Sequence, residues 1–145
     1  MMGIFKKLLT ALRERRELAR LPLHLREGRI GESAAARYLK RKGYRIVERN
    51  FVSGKNEIDI IAKSKDRTVF CEVKTRVQKF GEPTPFGPPS AAVTEEKQRH
   101  LFSAATTYMK RNRDDTHYRF DVIEVYLSSS LRAEHIQHIE NAFFR

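Results

Sequence analysis

Apolar residues at Ile4, Phe5, Leu8, Leu9 and Leu12 recur at helical spacing with basic residues between them, which predicts a short basic amphipathic helix within residues 1–27. Such a stripe needs a partner: the main domain, another protein, or a membrane surface. Pro22 interrupts the pattern and predicts a linker near residues 21–28. Residues 31–42 (GESAAARYLKRK) predict a second helix, with Gly43 suited to its left-handed stop. Ala35, Tyr38, Leu39 and Lys42 lie along one side of it. Glu32 falls on or beside that apolar face, an unusual place for a carboxylate.

Beyond Gly43 the period changes from helical to alternating. Residues 44–52 (YRIVERNFV), 57–63 (EIDIIAK), 68–76 (TVFCEVKTR) and 118–127 (YRFDVIEVYL) predict four strands. Ser53–Asn56 predicts one turn, and Lys65-Asp66 a tight one. Residues 95–111 predict a helix with Thr94 as N-cap, acidic at its start and basic at its end, as the helix dipole favours. Residues 77–93 predict a long loop that holds Pro83, Pro85, Pro88 and Pro89. The apolar spacing of the tail, residues 131–145, leaves strand and short helix both open. The order is α-β-β-β-α-β. The strand–helix–strand run from 68 to 127 predicts parallel strands joined by a right-handed crossover, and the hairpins before it make the sheet mixed. This is an α/β chain with a basic helix at 1–27 and a domain at 28–145.

Composition narrows the partners. One domain is the default for 145 residues, and 40% hydrophobic residues suffice for one core. The net charge is +11, of which residues 1–27 contribute +4. A surface this basic favours polyanions, nucleic acid before anionic membrane. Cys71 is the single cysteine, so no internal disulfide can form and a reducing cytoplasm fits. No apolar run reaches the roughly 18 residues of a membrane span.

The chemistry rests on the second and third strands. Alternation puts Glu57, Asp59 and Ile61 on one face, and Phe70, Glu72, Lys74 and Arg76 on one face of the next strand. A turn at Lys65-Asp66 sets Asp59 opposite Glu72 and Glu57 opposite Lys74. Opposed Cβ atoms are roughly 4.5–5.5 Å apart. Two carboxylates at that separation repel, and one is driven toward neutrality unless a cation intervenes. Oxygen ligands with no His or second Cys nearby select Mg²⁺ or Mn²⁺ over Zn²⁺. Lys74, on the same face as Glu72, can orient a water or stabilise charge on a phosphate. The competing reading is a cross-strand charge network on a solvated face, with Glu57–Lys74 as a surface pair.

The stretches GRIGESAAARYLKRKGYRIVERNF, EIDIIA, VFCEVKTR, AAVTEEKQRHLFSAATTY and RFDVIEV resemble the YraN-type family of uncharacterised bacterial proteins. That family has a restriction-endonuclease-like fold related to Holliday junction resolvases. The resemblance covers residues 28–127 and extends to IQHIENAF. It implies Asp59 and Glu72 as metal ligands, Lys74 as catalytic lysine, and Glu32 reaching the metal directly or through water. It places Lys97 and Gln98 where such nucleases often carry a further site residue. It points to hydrolysis of phosphodiester bonds in structured or branched DNA, with DNA ahead of RNA; a junction substrate would favour a homodimer, because two cuts need two sites. The chain departs from the family at Asn56, where Gly is usual, and in a longer proline-rich loop. Alternatives are a nucleic-acid-binding module without turnover, and an adaptor docked through residues 1–27.

Other residues carry weaker signals. Arg29, Arg76, Lys79, Lys97, Gln98 and Arg99 flank the proposed site and together could contact a nucleic-acid backbone. Phe80 and Phe86 could stack on bases. Cys71 reads as a small buried residue, Asp121 as a salt-bridged strand acid, and His135 with His138 as a poor zinc pair.

Overall fold

A computed structural model describes residues 2–83 and 93–144. The elements run α1 (Met2–Ala19), α2 (Leu23–Arg41), β1 (Arg45–Ser53), β2 (Asn56–Lys63), β3 (Arg67–Val77), α3 (Glu95–Arg111), β4 (His117–Leu127) and β5 (Ala133–Phe143). The five strands form one sheet in sequence order. β1, β2 and β3 pair antiparallel, β3 and β4 pair parallel, and β4 and β5 pair antiparallel. The architecture is mixed α/β, as the alternation of periods predicts. The tail, left open by its own pattern, is the strand β5.

Strand alternation sorts the core into two layers. Phe70, Phe120 and Val122 pack with Leu101, Ala104, Ala105 and Tyr108 of α3. Val69, Cys71, Ile123 and Val125 face the other way, against Ala34, Ala35, Ala36 and Leu39 of α2. The sheet therefore lies between α2 and α3. Cys71 is fully buried in the α2 layer, where burial pushes its thiol well above the usual range. Thr94 caps α3 as its sequence predicts, accepting from the Lys97 backbone N–H at 3.1 Å.

The start of the domain differs from the sequence expectation. No linker occupies 21–28. Pro22 (φ −52°, ψ 147°) is the N-cap of α2, which runs unbroken across residue 28. The Pro22 carbonyl accepts from the N–H groups of Leu25 and Arg26, so the proline that stops one helix begins the next. The Arg26 guanidinium ties the bend, donating to the carbonyls of Ala19 (2.8 Å) and Leu21 (3.1 Å). Packing of α1 on the domain, one of the partners considered for its stripe, is not observed: α1 has no buried residue. Pro85, Phe86, Gly87, Pro88 and Pro89 lie outside the described residues.

One contact fixes how closely α2 approaches the sheet. Gly31 is buried against Thr75 of β3, and a Cβ added there would lie 1.8 Å from Thr75 Oγ1 and 2.9 Å from its Cβ. Only glycine permits this approach, and the next residue of the helix is Glu32. We expect Gly31→Ala to lower stability by about 1–3 kcal/mol. Adding Thr75→Ala should recover part of the loss in a denaturant titration, whereas an additive double mutant would show that the two positions do not touch.

Candidate functional site

The β2–β3 register agrees with the sequence arithmetic: Ile60 pairs with Cys71, Ile61 with Phe70, Ala62 with Val69 and Lys63 with Thr68. Continued one step, it would set Asp59 opposite Glu72. The backbone ladder ends before that step. Instead Asp59 Oδ2 accepts from the Val73 N–H at 2.8 Å, so a side chain satisfies a donor that the ladder leaves open. The ladder therefore never reaches Glu57 and Lys74, and that predicted surface pair does not form. Lys74 Nζ lies 3.5 Å from Glu72 Oε1, and Lys97 Nζ of α3 lies 3.7 Å from the same oxygen. The face is not a solvated one: the Glu72 side chain is only 6% exposed.

The electrostatics are those of crowded, desolvated carboxylates. Burial raises Asp59, the negative charges of Glu72 and Glu32 raise it further, and the Val73 N–H and Lys97 only partly oppose them. Its carboxyl is pushed up to about 7. Asp59 is thus the member of the pair driven toward neutrality. Glu72 Oε2 is buried and has no hydrogen-bond partner among the described residues. An orphaned carboxylate oxygen beside a second carboxylate is what hard-cation coordination would satisfy, and Asp59 with Glu72 fits Mg²⁺ or Mn²⁺ in donor chemistry.

Glu32 lies beside the pair, in contact with Asn50. Its carboxylate is raised by burial and by Glu57, against the pull of Arg49, Asn50 and Arg29. With its amide turned so that the nitrogen donates, Asn50 bridges Glu32 Oε2 (3.1 Å) and Glu57 Oε1 (3.0 Å). Glu32 is close enough to act on the Asp59 charge, but among the described residues no three acidic, His or Cys side chains form a ready metal cage. Asn50 is the site residue that sequence reasoning missed. It takes a left-handed backbone (φ 52°) between the pairs Arg49↔Ile60 and Phe51↔Ile58, across from Asp59. The tolerance of Asn for that conformation was the only available signal.

The flanking basic residues divide. Arg29, Lys79 and Arg99 are exposed, and Lys97 is half-buried against Glu72. Gln98 instead braces the start of α3, donating to the Val93 carbonyl at 3.1 Å. Arg76 departs from the solvated-charge picture. Its side chain is 9% exposed and pairs with buried Glu124 at 3.2 Å, because β4 runs parallel to β3 and brings Glu124 beside Lys74 on the same face. Phe80 stacks on His135 at 3.8 Å between ring centres and meets Tyr126 edge-on.

His138 has a different neighbour from His135, so the two make no zinc pair. Its Nε2 lies 2.6 Å from Asp121 Oδ2, and Asp121 also accepts from Arg119 and from the Asn141 N–H. Burial pushes Asp121 up, but these hydrogen bonds prevail and hold it below the usual carboxylate range. It is a salt-bridged strand acid, as its sequence context predicts.

The sequence profile of the uncharacterised protein family UPF0102 matches residues 31–125, which hold Glu32, Asp59, Glu72, Lys74 and Lys97. The chain belongs to that family. It is 45% identical over 118 residues to a UPF0102 protein of Caldanaerobacter subterraneus subsp. tengcongensis, covering 80% of this chain and 93% of that one. A UPF0102 protein of Alkaliphilus oremlandii is 46% identical over 119 residues, covering 80% and 96%. One of Geobacter metallireducens is 44% identical over 117 residues, covering 80% and 90%. The UPF0102 match begins after α1 and the first turns of α2, at the glycine that seats α2 on the sheet.

The raised Asp59 sets a pH dependence. Its folded value of about 7 exceeds the unfolded one of roughly 3.9. The folded state therefore holds the proton more tightly, and stability falls as pH rises between those values, at most ~1.4 kcal/mol per pH unit. In metal-free protein, Asp59→Asn should melt higher than wild type at pH 8, with the gap closing toward pH 4. A wild type that melts at or above the variant at pH 8 would show that Asp59 ionises without penalty.

Proposed function

We propose that this UPF0102 protein is a metal-dependent nuclease of restriction-endonuclease-like fold that hydrolyses phosphodiester bonds in structured or branched DNA. The observation that carries the reading is the buried Asp59–Glu72 pair, with one oxygen of Glu72 orphaned and the other facing two lysines. Glu72, midway along β3, and Lys74 two residues on meet the N-terminal turn of α3 through Lys97.

A Mg²⁺ or Mn²⁺ ion held by Asp59 and Glu72 would supply Lewis-acid activation of water and neutralisation of phosphate charge. The chain's own groups divide the remaining work. Lys74 offers an ammonium to the phosphate oxygen or to the attacking water, and Lys97 offsets the negative charge of Glu72 from the helix side. Asn50 and Arg49 face Glu32 near Asp59, where its charge adds to burial and to Glu72 in holding the Asp59 proton. Arg29, Lys79 and Arg99 are exposed cations suited to the DNA backbone. Paired incisions across a branched substrate would call for a homodimer.

A second reading has one observation in its favour: no three-carboxylate cage is formed among the described residues. On that reading the protein binds nucleic acid without turnover.

The deciding experiment incubates linear, single-stranded, flapped and four-way DNA with Mg²⁺ or Mn²⁺. Wild type should cut at least one branched substrate, and Asp59→Ala, Glu72→Ala and Lys74→Ala should each lose roughly 10²-fold or more in rate. Apparent metal affinity should rise with pH up to about 7, following release of the Asp59 proton, and then level. Cleavage that survives all three substitutions would sink the site. DNA binding without cleavage by wild type would favour the second reading.

A further inference from the structure

The nuclease reading leaves α1 without a task. Its residues Ile4, Phe5, Leu8, Leu9 and Leu12 are 76%, 64%, 54%, 53% and 45% exposed, and no residue of the helix is buried. At helical spacing these five side chains share one face over three turns. The opposite side of the same turns carries Lys6, Lys7 and Thr10, and the first acidic residue of the chain is Glu14. The first turn holds no acid to complement the helix dipole, so the positive end of the helix is reinforced rather than neutralised.

These features select one occupant. Nucleic acid would use the cations, but stacking on or wedging between bases would cover only one or two side chains of a continuous Ile, Phe and Leu face. A second α1 could cover the apolar face, but it would bring two helices with like charge together, with Lys6 and Lys7 on each. An anionic lipid surface satisfies both halves: acyl chains accept the apolar face while the headgroups meet the lysines. No described helix is long and apolar enough to cross a membrane, so the helix would lie in the plane of the interface. It is joined to α2 through the short Arg20–Pro22 bend and precedes the stretch matched by the family.

We propose that α1 is an interfacial anchor that docks the protein on anionic phospholipid surfaces through the Ile4–Phe5–Leu8–Leu9–Leu12 face, with Lys6 and Lys7 at headgroup level. The inference is independent of turnover at Asp59 and Glu72, and vesicle binding by Glu72→Gln should match wild type.

The chain has no tryptophan, so a single introduced one reports its own environment. Full-length Leu9→Trp and Thr10→Trp proteins are titrated with vesicles of phosphatidylcholine alone, or containing about a third phosphatidylglycerol to set a negative surface potential. We expect a blue shift for Leu9→Trp with the anionic vesicles, little with the neutral ones, and none for Thr10→Trp. Lys6→Gln with Lys7→Gln should weaken binding on the order of twentyfold, since each basic residue at an anionic surface is worth roughly fivefold. Phe5→Asp with Leu8→Asp should abolish co-sedimentation, and it touches no buried contact, so the fold should survive. The proposal fails if Leu9→Trp shows no shift, if Thr10→Trp shifts equally, or if sedimentation survives Phe5→Asp with Leu8→Asp. It fails also if the Leu9→Trp shift appears without vesicles as protein concentration rises, which would assign the face to a second copy.

Discussion

The β2–β3 ladder stops one residue before it would pair Asp59 with Glu72, and the Asp59 carboxylate takes the Val73 N–H that the ladder leaves open. This single hydrogen bond reconciles two demands. The sheet needs Val73 satisfied, since a buried N–H without a partner costs about 1–3 kcal/mol. The site needs a carboxylate beside Glu72 that stays in place while protonated or charged. Either protonation state of Asp59 can accept from Val73, so the geometry survives a change in charge. The same bond also limits Asp59. One of its oxygens is committed to the backbone, which leaves the other, with Glu72 Oε2, as the pair of oxygens available to a cation.

The rest of the molecule holds that arrangement from both sides. Gly31 lets α2 approach β3 closely at Thr75, which puts Glu32 near the end of the ladder. On the opposite face α3 begins at the Thr94 cap, and the capped turn carries Lys97 to Glu72. Both helices seat the site through backbone contacts and small side chains: a glycine on one side, a threonine cap on the other. The apolar layers beneath, with Tyr108 and Phe70 in one and Leu39 and Ile60 in the other, fix the helices against the sheet.

Much of this was legible because it follows from short-range rules. Strand alternation separated Cys71 from Glu72, the Lys65-Asp66 turn fixed the hairpin register, and Thr94 marked the start of α3 to the residue. What was illegible depended on distance in the chain. Arg76 looked like a solvated cation until the parallel register brought Glu124 beside it, across an intervening helix and loop. Asn50 had no local feature beyond its residue type, because its partners Glu32 and Glu57 come from different elements. Pro22 predicts a break but is also a beginning, since its missing N–H ends one helix while its carbonyl accepts the first N–H groups of the next. β5 resisted because an edge strand bent by register shifts, with Asn141 at φ 51°, loses the alternation that would announce it.

The charge of +11 gains meaning when set against the site itself. Around Asp59 stand Glu72, Glu32 and Glu57, met by Lys74, Lys97, Arg49 and Arg29. The cluster is close to neutral, and its deepest members are acidic. A polyanion would therefore be attracted by the surface and resisted by the centre. Protonation of Asp59 relieves only part of that resistance, and it removes a ligand in doing so. A divalent cation would relieve the remainder and keep both carboxylates ionised. Surface and centre become consistent with one substrate only when the cation is counted among the site's charges, and this is the physical reason for reading the buried pair as a place for a metal rather than as a structural acid network.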